Sequence, residues 1–174
     1  MNEHTLVDFL KAIEAIGVTV WIGGGWGIDA LIGSQTRPHD DIDIYINKKY
    51  GELFVKMLLE KGYSETITEY TTEEHTVWRD SSGRVVDLHL LEIVSGEINF
   101  AGYTFPTSVL DGEGIISGLA VKCFTADAQL LFHQGYEHSE KDIHDVKLLC
   151  KTFGFEMPAE YQAKSKQTSL SPRL

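Results

Sequence analysis

Cysteine is nearly absent from this chain of 174 residues. Cys123 and Cys150 stand alone, too few for a disulfide framework and without the spacing of zinc ligands, so a reducing cytoplasm is the expected setting. Long apolar runs are missing too: no stretch approaches the roughly 18 residues of a membrane span. The N-terminal text MNEHTLVDFLK lacks the basic-then-apolar layout of a signal peptide. Basic residues are scarce, with 15 Lys and Arg against 26 Asp and Glu and a net charge of −11. That balance argues against DNA or RNA as the main partner, because neutralising phosphates takes Lys and Arg. It suits the approach of a small cationic molecule better, although acidity for solubility alone gives the same number.

What is present reads as a soluble globular protein: 43% apolar and 24% charged residues, in a chain long enough to bury a core. Leu6, Phe9, Leu10, Ile13 and Ile16 fall at helical spacing over 4–16, with Gly17 as the stop. Val18 to Ile22 is a short β-branched and aromatic strand. Gly23, Gly24 and Gly25 then permit a tight turn, and Trp26 to Ile32 reads as two helical turns ending at Gly33. After the polar loop SQTRPH, Asp41 to Ile46 alternates as a strand does. Lys49 to Lys61 forms a second helix with Leu53, Phe54, Met57 and Leu58 on its inner face. Strands follow at 63–70, 75–79 and 84–91, the last two joined by a Ser81-Ser82-Gly83 hairpin turn. Residues 96–121 read as irregular strands and turns.

The C-terminal part is helical, with Thr125 heading one helix and Ser139 with Asp142 heading another that runs to about Phe153. The expected organisation is residues 1–122 as the main domain, 123–157 as a helical segment packed on it, and 158–174 as a frayed polar tail.

Asp41 and Asp43, two apart on one strand, share a face about 6.6 Å apart, while Ile42 and Ile44 point to the core. In RVVDLHLL, Asp87 and His89 face one way and Val86, Leu88 and Leu90 the other. If the two strands are neighbours, at the roughly 4.8 Å of a sheet, three carboxylates converge, a trio able to bridge two divalent ions. Two carboxylates 6.6 Å apart repel by about 2.5 kcal/mol at an effective dielectric near 20. A solvated acidic edge is the other reading of a lone DxD, but a third carboxylate calls for a cation. Upstream, Gly24 and Gly25 put backbone N–H groups and the positive end of a helix where a phosphate can sit. The turn is neither a Walker A loop nor the spaced glycines of a dinucleotide fold.

The order of strand, glycine turn, helix, loop and acidic strand resembles the nucleotidyltransferases of the DNA polymerase β superfamily. The text GGWGIDALIG from Gly24, TRPHDDIDI from Thr36 and VDLHL from Val86 is similar to the antibiotic-inactivating branch, the aminoglycoside 2″-nucleotidyltransferases and small lincosamide nucleotidyltransferases. AQLLFHQGYEHSEKDIHDVKLL from Ala128 is similar to the C-terminal segment of the lincosamide enzymes. The resemblance implies an α/β (α+β) polymerase-β-like fold, a small mixed sheet flanked by helices with a short helical C-terminal region. It implies that Asp41 and Asp43 hold Mg²⁺, two ions in all, and that Asp87 is the third carboxylate and general base. Gly24 and Gly25, with Arg37 and His39, correspond to the nucleotide-binding turn and its flanks. The implied reaction moves a nucleoside monophosphate, AMP from ATP by default, to a hydroxyl of a small cationic antibiotic. His89, Tyr136 and Glu137 are candidates for the acceptor pocket, and a homodimer is implied because related enzymes often pair. A catalytically silent nucleotide-binding module, or transfer to an unknown metabolite or macromolecule, remain the alternatives.

Other residues take plainer roles. Asp29, on the helix after the glycines, fixes the following loop by a hydrogen bond, and Asp40 is a solvated strand-start residue. His144 and Asp145 spell an HD pair without the further ligands of a metal phosphohydrolase. Glu137, Asp142 and Asp145 read as helix surface, and His133 as a core or pocket-wall residue.

Overall fold

Strict alternation along Asp41–Asn47 sets the middle of the fold. Ile42, Ile44 and Ile46 are fully buried, and the residues between them are half-exposed. The computed structural model describes residues 2–162. The chain divides between Thr125 and Ala126 into two units. In the first, α1 (Glu3–Ala15), β1 (Val20–Ile22), α2 (Gly24–Ile32), β2 (Asp41–Asn47) and α3 (Gly51–Glu60) come in that order. They are followed by β3 (Ser64–Thr66), β4 (His75–Arg79), β5 (Val85–Val94), β6 (Glu97–Phe100), β7 (Tyr103–Pro106), β8 (Gly112–Ile116) and β9 (Leu119–Cys123). These strands form one sheet in the order β3-β4-β5-β2-β1-β9-β8, with the β6–β7 hairpin carried by the far end of β5. The β2–β5 and β1–β9 pairs are parallel and the others antiparallel, so the sheet is mixed.

One face of this sheet is the core. Leu6, Phe9, Leu10 and Ile13 of α1 and Phe54, Met57 and Leu58 of α3 pack with Ile22, Ile42, Ile44, Ile46, Val86 and Leu88. Leu53, expected on the inner face of its helix, is instead 43% exposed. Phe54, Met57 and Leu58 already define the buried stripe, and Leu53 sits about a quarter-turn from the centre of that stripe, beyond its edge. The helix itself begins at Gly51, after a 3-10 turn over Lys48–Tyr50.

Residues 96–121 are more regular than the sequence suggests, forming two hairpins rather than irregular turns. Three two-residue loops, Ser95-Gly96, Ala101-Gly102 and Ser117-Gly118, have positive φ at both positions. That is the backbone of the tight hairpin turn whose twist matches the flanking strands. The strand expected over 63–70 shrinks to Ser64–Thr66, and the one over 18–22 to Val20–Ile22. The expected helix start at Trp26 moves back to Gly24, with Gly23 as its N-cap.

The second unit contains α4 (Ala126–Phe132) and α5 (Glu140–Phe153). Ser139 and Asp142 close a capping box on α5, as their spacing leads one to expect. In α4, Ala128 and Gln129 are buried while Leu131 is exposed. Residues 159–162 wind into a helical turn that buries Tyr161 beside Val146 and Cys150, and its hydroxyl donates to the His133 carbonyl. The expected fraying is therefore wrong for 158–162, because Tyr161 gives that stretch an apolar anchor. The remainder of the expected tail, 163–174, lies outside the described residues.

The burial pattern predicts opposite outcomes for two leucine-sized side chains. Ile44→Ala should cost about 2–5 kcal/mol, the range for emptying a packed core position. Leu53→Ala should stay within about 0.5 kcal/mol, as exposed positions do. Urea unfolding of the two variants beside the parent measures both.

Candidate active site

The parallel pairing of β2 with β5 does what the sequence left conditional. Asp43 lies directly opposite Asp87, with Asp41 opposite Val85 and Tyr45 opposite His89. On the other side of β5, Val77 stands opposite Asp87, His75 opposite His89 and Arg79 opposite Val85. Directly opposed residues share a face, so the solvent side of the sheet is organised in rows across three strands. One row is Arg79–Val85–Asp41, the next Val77–Asp87–Asp43, and the third His75–His89–Tyr45. Asp41, Asp43 and Asp87 are thus brought together on adjacent positions, behind which Ile42, Ile44, Val86 and Leu88 are buried.

This grouping changes the chemistry of Asp87. Burial pushes its carboxyl up from 3.8 to about 7, with Asp43 and Asp41 adding to the rise and Arg79 opposing it. Its Oδ1 is buried without a hydrogen-bond partner. A buried polar atom of this kind usually has a partner, and a cation supplies one to a carboxylate. Among the described residues, no three acidic, imidazole or thiol groups are gathered around one point at ligand distance. Mg²⁺ is generally held by one or two carboxylates and completes its shell with substrate phosphates and water. The trio fits such an ion.

The glycine turn reaches the same place. The Gly23 N–H donates to the Asp43 carbonyl at 3.0 Å, tying the start of α2 to β2. Gly24 has a φ of +53°, and a Cβ there would overlap the Asp43 carboxylate. At Gly25 a Cβ would overlap the Arg37 guanidinium and come within 2.6 Å of the His39 ring. No larger residue fits at these two positions without displacing those groups. The first N–H groups of α2 have no partner within the helix, and Arg37 and His39 lie beside Gly25, an arrangement of the kind that can hold an anion.

The loop between α2 and β2 is held from beneath. Asp29, 2% exposed, accepts from the Thr36 hydroxyl at 2.6 Å and lies 2.5 Å from His39 Nε2. The His39 ring also packs on Trp26, with centroids 4.4 Å apart. Arg37 donates through Nη1 to the Pro38 carbonyl at 3.1 Å.

His89 is buried beside the carboxylates, with Nε2 3.5 Å from Asp43 Oδ1. Tyr136 and Glu137 are exposed residues of the second unit, on the stretch between α4 and α5, and Tyr136 donates to Asp142 at 2.9 Å. Asp145 is not helix surface, as its position suggested, but 1% exposed, because it lies on the same side of α5 as Val146 and Leu149. His133 is buried and its Nδ1 pairs with the Gln129 carbonyl at 2.7 Å. One neighbour was missed: His75. Counting back along the hairpin from Ser81-Ser82-Gly83 puts it opposite His89, so the signal was present in the register of β4 and β5.

A mixed sheet with paired carboxylates on one strand, a third on its parallel neighbour, and a glycine turn beside them defines a nucleotidyltransferase of the polymerase-β-like fold. The sequence pattern of the aminoglycoside-2″-adenylyltransferases matches residues 5–149. A lincosamide resistance protein from Staphylococcus haemolyticus is 30% identical over 155 residues, covering 86% of this chain and 94% of its own. A 2″-aminoglycoside nucleotidyltransferase from Klebsiella pneumoniae is 30% identical over 175 residues, covering 89% and 90%. The crystal structure of a lincosamide antibiotic adenylyltransferase with lincomycin bound superposes with a TM-score of 0.76 at 30% identity, over 86% of this chain and 96% of that one. The chain belongs to the aminoglycoside-2″-adenylyltransferase family, whose members adenylylate antibiotics of the lincosamide and aminoglycoside kinds.

The raised pKa of Asp87 predicts a signature in stability. Between about pH 4 and pH 7 the folded protein holds a proton on Asp87 that the unfolded chain has released. The corresponding stability is full below pH 4 and is lost as pH rises towards 7. With divalent ions chelated, the melting temperature of the parent should fall relative to that of Asp87→Asn across this window, and Mg²⁺ at pH 8 should restore it. A difference between the two proteins that does not vary with pH would contradict the assignment.

Proposed function

We propose that the protein transfers AMP from ATP to a hydroxyl group of a small antibiotic, lincosamide-like or aminoglycoside-like, with Mg²⁺ as its metal. The observation that carries this is the opposition of Asp43 and Asp87 across two parallel strands, with Asp41 one step along and Gly24 against Asp43. A like-charged trio of this kind costs folding free energy, and a cation-bound nucleotide gives it a use.

In this reading the first turn of α2 binds the triphosphate through backbone N–H groups at Gly24 and Gly25. Arg37 and His39 add side-chain contacts to the phosphates, and Asp29 keeps His39 in place. Asp41 and Asp43 would hold Mg²⁺, and Asp87 would contribute to a second ion. When bound, the metal neutralises charge on the α-phosphate and on the departing pyrophosphate. Asp87 accepts the proton of the acceptor hydroxyl, a task suited to a group poised near the working pH. The hydroxyl oxygen then bonds to the α-phosphorus as the bond to pyrophosphate breaks. The net charge of −11 supports a small cationic acceptor over a polyanionic one. A cytoplasmic setting, where ATP and Mg²⁺ are abundant, accords with two buried thiols that are not bridged.

The test uses lincomycin and tobramycin with ATP and Mg²⁺, read by product mass and pyrophosphate release. Asp41→Asn and Asp43→Asn should each lower kcat by about 10²–10³-fold or more, the scale for removing one group that stabilises transition-state charge. Their melting temperatures should not fall. Full transfer activity in both variants would sink the assignment, and nucleotide binding without pyrophosphate release in the parent would mark a silent binding module.

A further inference from the structure

Arg79 is the last residue of β4. It stands opposite Val85 on β5 and Ser64 on β3, on the same face as Val77 and Asp87. Its diagonal neighbour on β5 is Asp87, two residues beyond Val85. Diagonal pairs of this kind lie about 7–8 Å apart, within reach of a long side chain. The strand order β4-β5-β2 puts Arg79 on one side of the carboxylates, while the start of α2 meets them from the other, at Asp43. The trio is therefore flanked by two arginines, Arg37 beside Gly25 and Arg79 on β4.

The three described arginines differ in how their heads are held. Arg84 donates to the Asp80 carboxylate and Arg37 to the Pro38 carbonyl. The Arg79 guanidinium makes no hydrogen bond or ion pair among the described residues, and the residue is exposed. Its charge still reaches the trio, because it opposes the rise at Asp87. An arginine serving only to offset carboxylates would close onto one of them as a fork, the geometry in which such a pair is strongest. Arg79 instead stands within their field and keeps its five N–H donors for water or a ligand.

Charge on this face decides what that ligand is. Two divalent ions do not balance three carboxylates and a triphosphate, so a further cation close by eases their assembly. With the β- and γ-phosphates on the first turn of α2, the α-phosphate comes over the carboxylates, towards β4. A planar guanidinium fits two oxygens of one phosphate at once.

We infer that Arg79 contacts the α-phosphate of the donor nucleotide from the β4 side and is a substrate-binding residue of the transfer reaction. During transfer the acceptor oxygen bonds to the α-phosphorus, the bond to pyrophosphate breaks, and the acceptor proton goes to Asp87. Arg79 keeps its protons throughout and balances charge on the non-bridging oxygens of the group that moves. The inference rests on the nucleotidyl-transfer reading and deepens it by assigning a residue to the phosphate that is transferred.

Calorimetric titration of the full chain with ATP and Mg²⁺, and separately with pyrophosphate and Mg²⁺, tests it. Pyrophosphate stands in for the β- and γ-phosphates and lacks the α-phosphate. Arg79→Ala should weaken ATP by about 10–100-fold, the scale of a hydrogen bond to a charged group. The same variant should bind pyrophosphate as the parent does, and Arg79→Lys should recover part of the loss for ATP. A cation acting only through space would lose both ligands together, because both are highly charged. Melting curves identify a variant that fails to fold, in which case Arg79→Gln carries the comparison. The inference is overturned by a folded variant with undiminished ATP affinity, by an equal loss for ATP and pyrophosphate, or by a parent that binds no ATP at millimolar concentration. The two readings fail separately. ATP binding that depends on Arg79 but yields no adenylated product defeats the transfer reaction alone, whereas product formed by Arg79→Ala with unchanged kcat and ATP KM defeats the Arg79 contact alone.

Discussion

The pairing of Asp43 with Asp87 across β2 and β5 is the constraint on which the rest depends. Two carboxylates on adjacent strands repel, and a third at Asp41 adds to it, so the sheet would not choose this register for the sake of that face. The other face chooses it. Ile42, Ile44, Val86 and Leu88 are all 1% exposed or less, and a one-residue slip would turn them to solvent and the aspartates to the core. Burial of these four side chains, about 1.5–3 kcal/mol each, outweighs the repulsion between the carboxylates opposite them.

A second consequence follows for the backbone around the trio. Because Asp43 is fixed, whatever approaches it must be small, and the start of α2 does so with Gly24 at positive φ against the carboxylate. Gly25 is held to glycine by different groups, Arg37 and His39, which lie on the loop that leads into β2. The loop in turn is anchored by Asp29, from the helix that those glycines begin. Helix, loop and strand thus close a circuit in which each short segment limits the next. Flexibility there would loosen the glycine turn and the carboxylates together, whereas the circuit keeps both in one geometry.

Much of this was legible in the sequence. Period-two alternation in DIDIYI and VVDLHL told which side chains share a face, and Ser139 with Asp142 marked the start of α5. The carboxylates were readable because chemistry of that kind needs one residue type at fixed spacing. What escaped was information carried by pairing between segments. No single stretch says that β5 runs parallel to β2, and the X-Gly hairpin loops looked irregular because β6, β7, β8 and β9 are only four or five residues long. Leu53 and Asp145 were misjudged for a related reason: an apolar or charged letter reports a preference, while the helix face it occupies is decided by its neighbours. His75 shows the limit best, since alone it is a lone histidine on a short strand.

The same register that creates the carboxylate row also creates the ring row beside it. Strand alternation gives every second residue of β2, β4 and β5 to the solvent face, and those residues change character within one step, from Val77, Asp87 and Asp43 to His75, His89 and Tyr45. A charged row needs water or ions above it. The ring row is packed on itself instead, Tyr45 on His89 and His89 on His75, with the edge of Phe100 against His89. The two rows lie about 6.6 Å apart along the strands, so the charged groups and the ring area stay separate on one rigid surface. A change in the ring row can leave the carboxylate row in place, because the register of β2 and β5 is set by the buried face behind both.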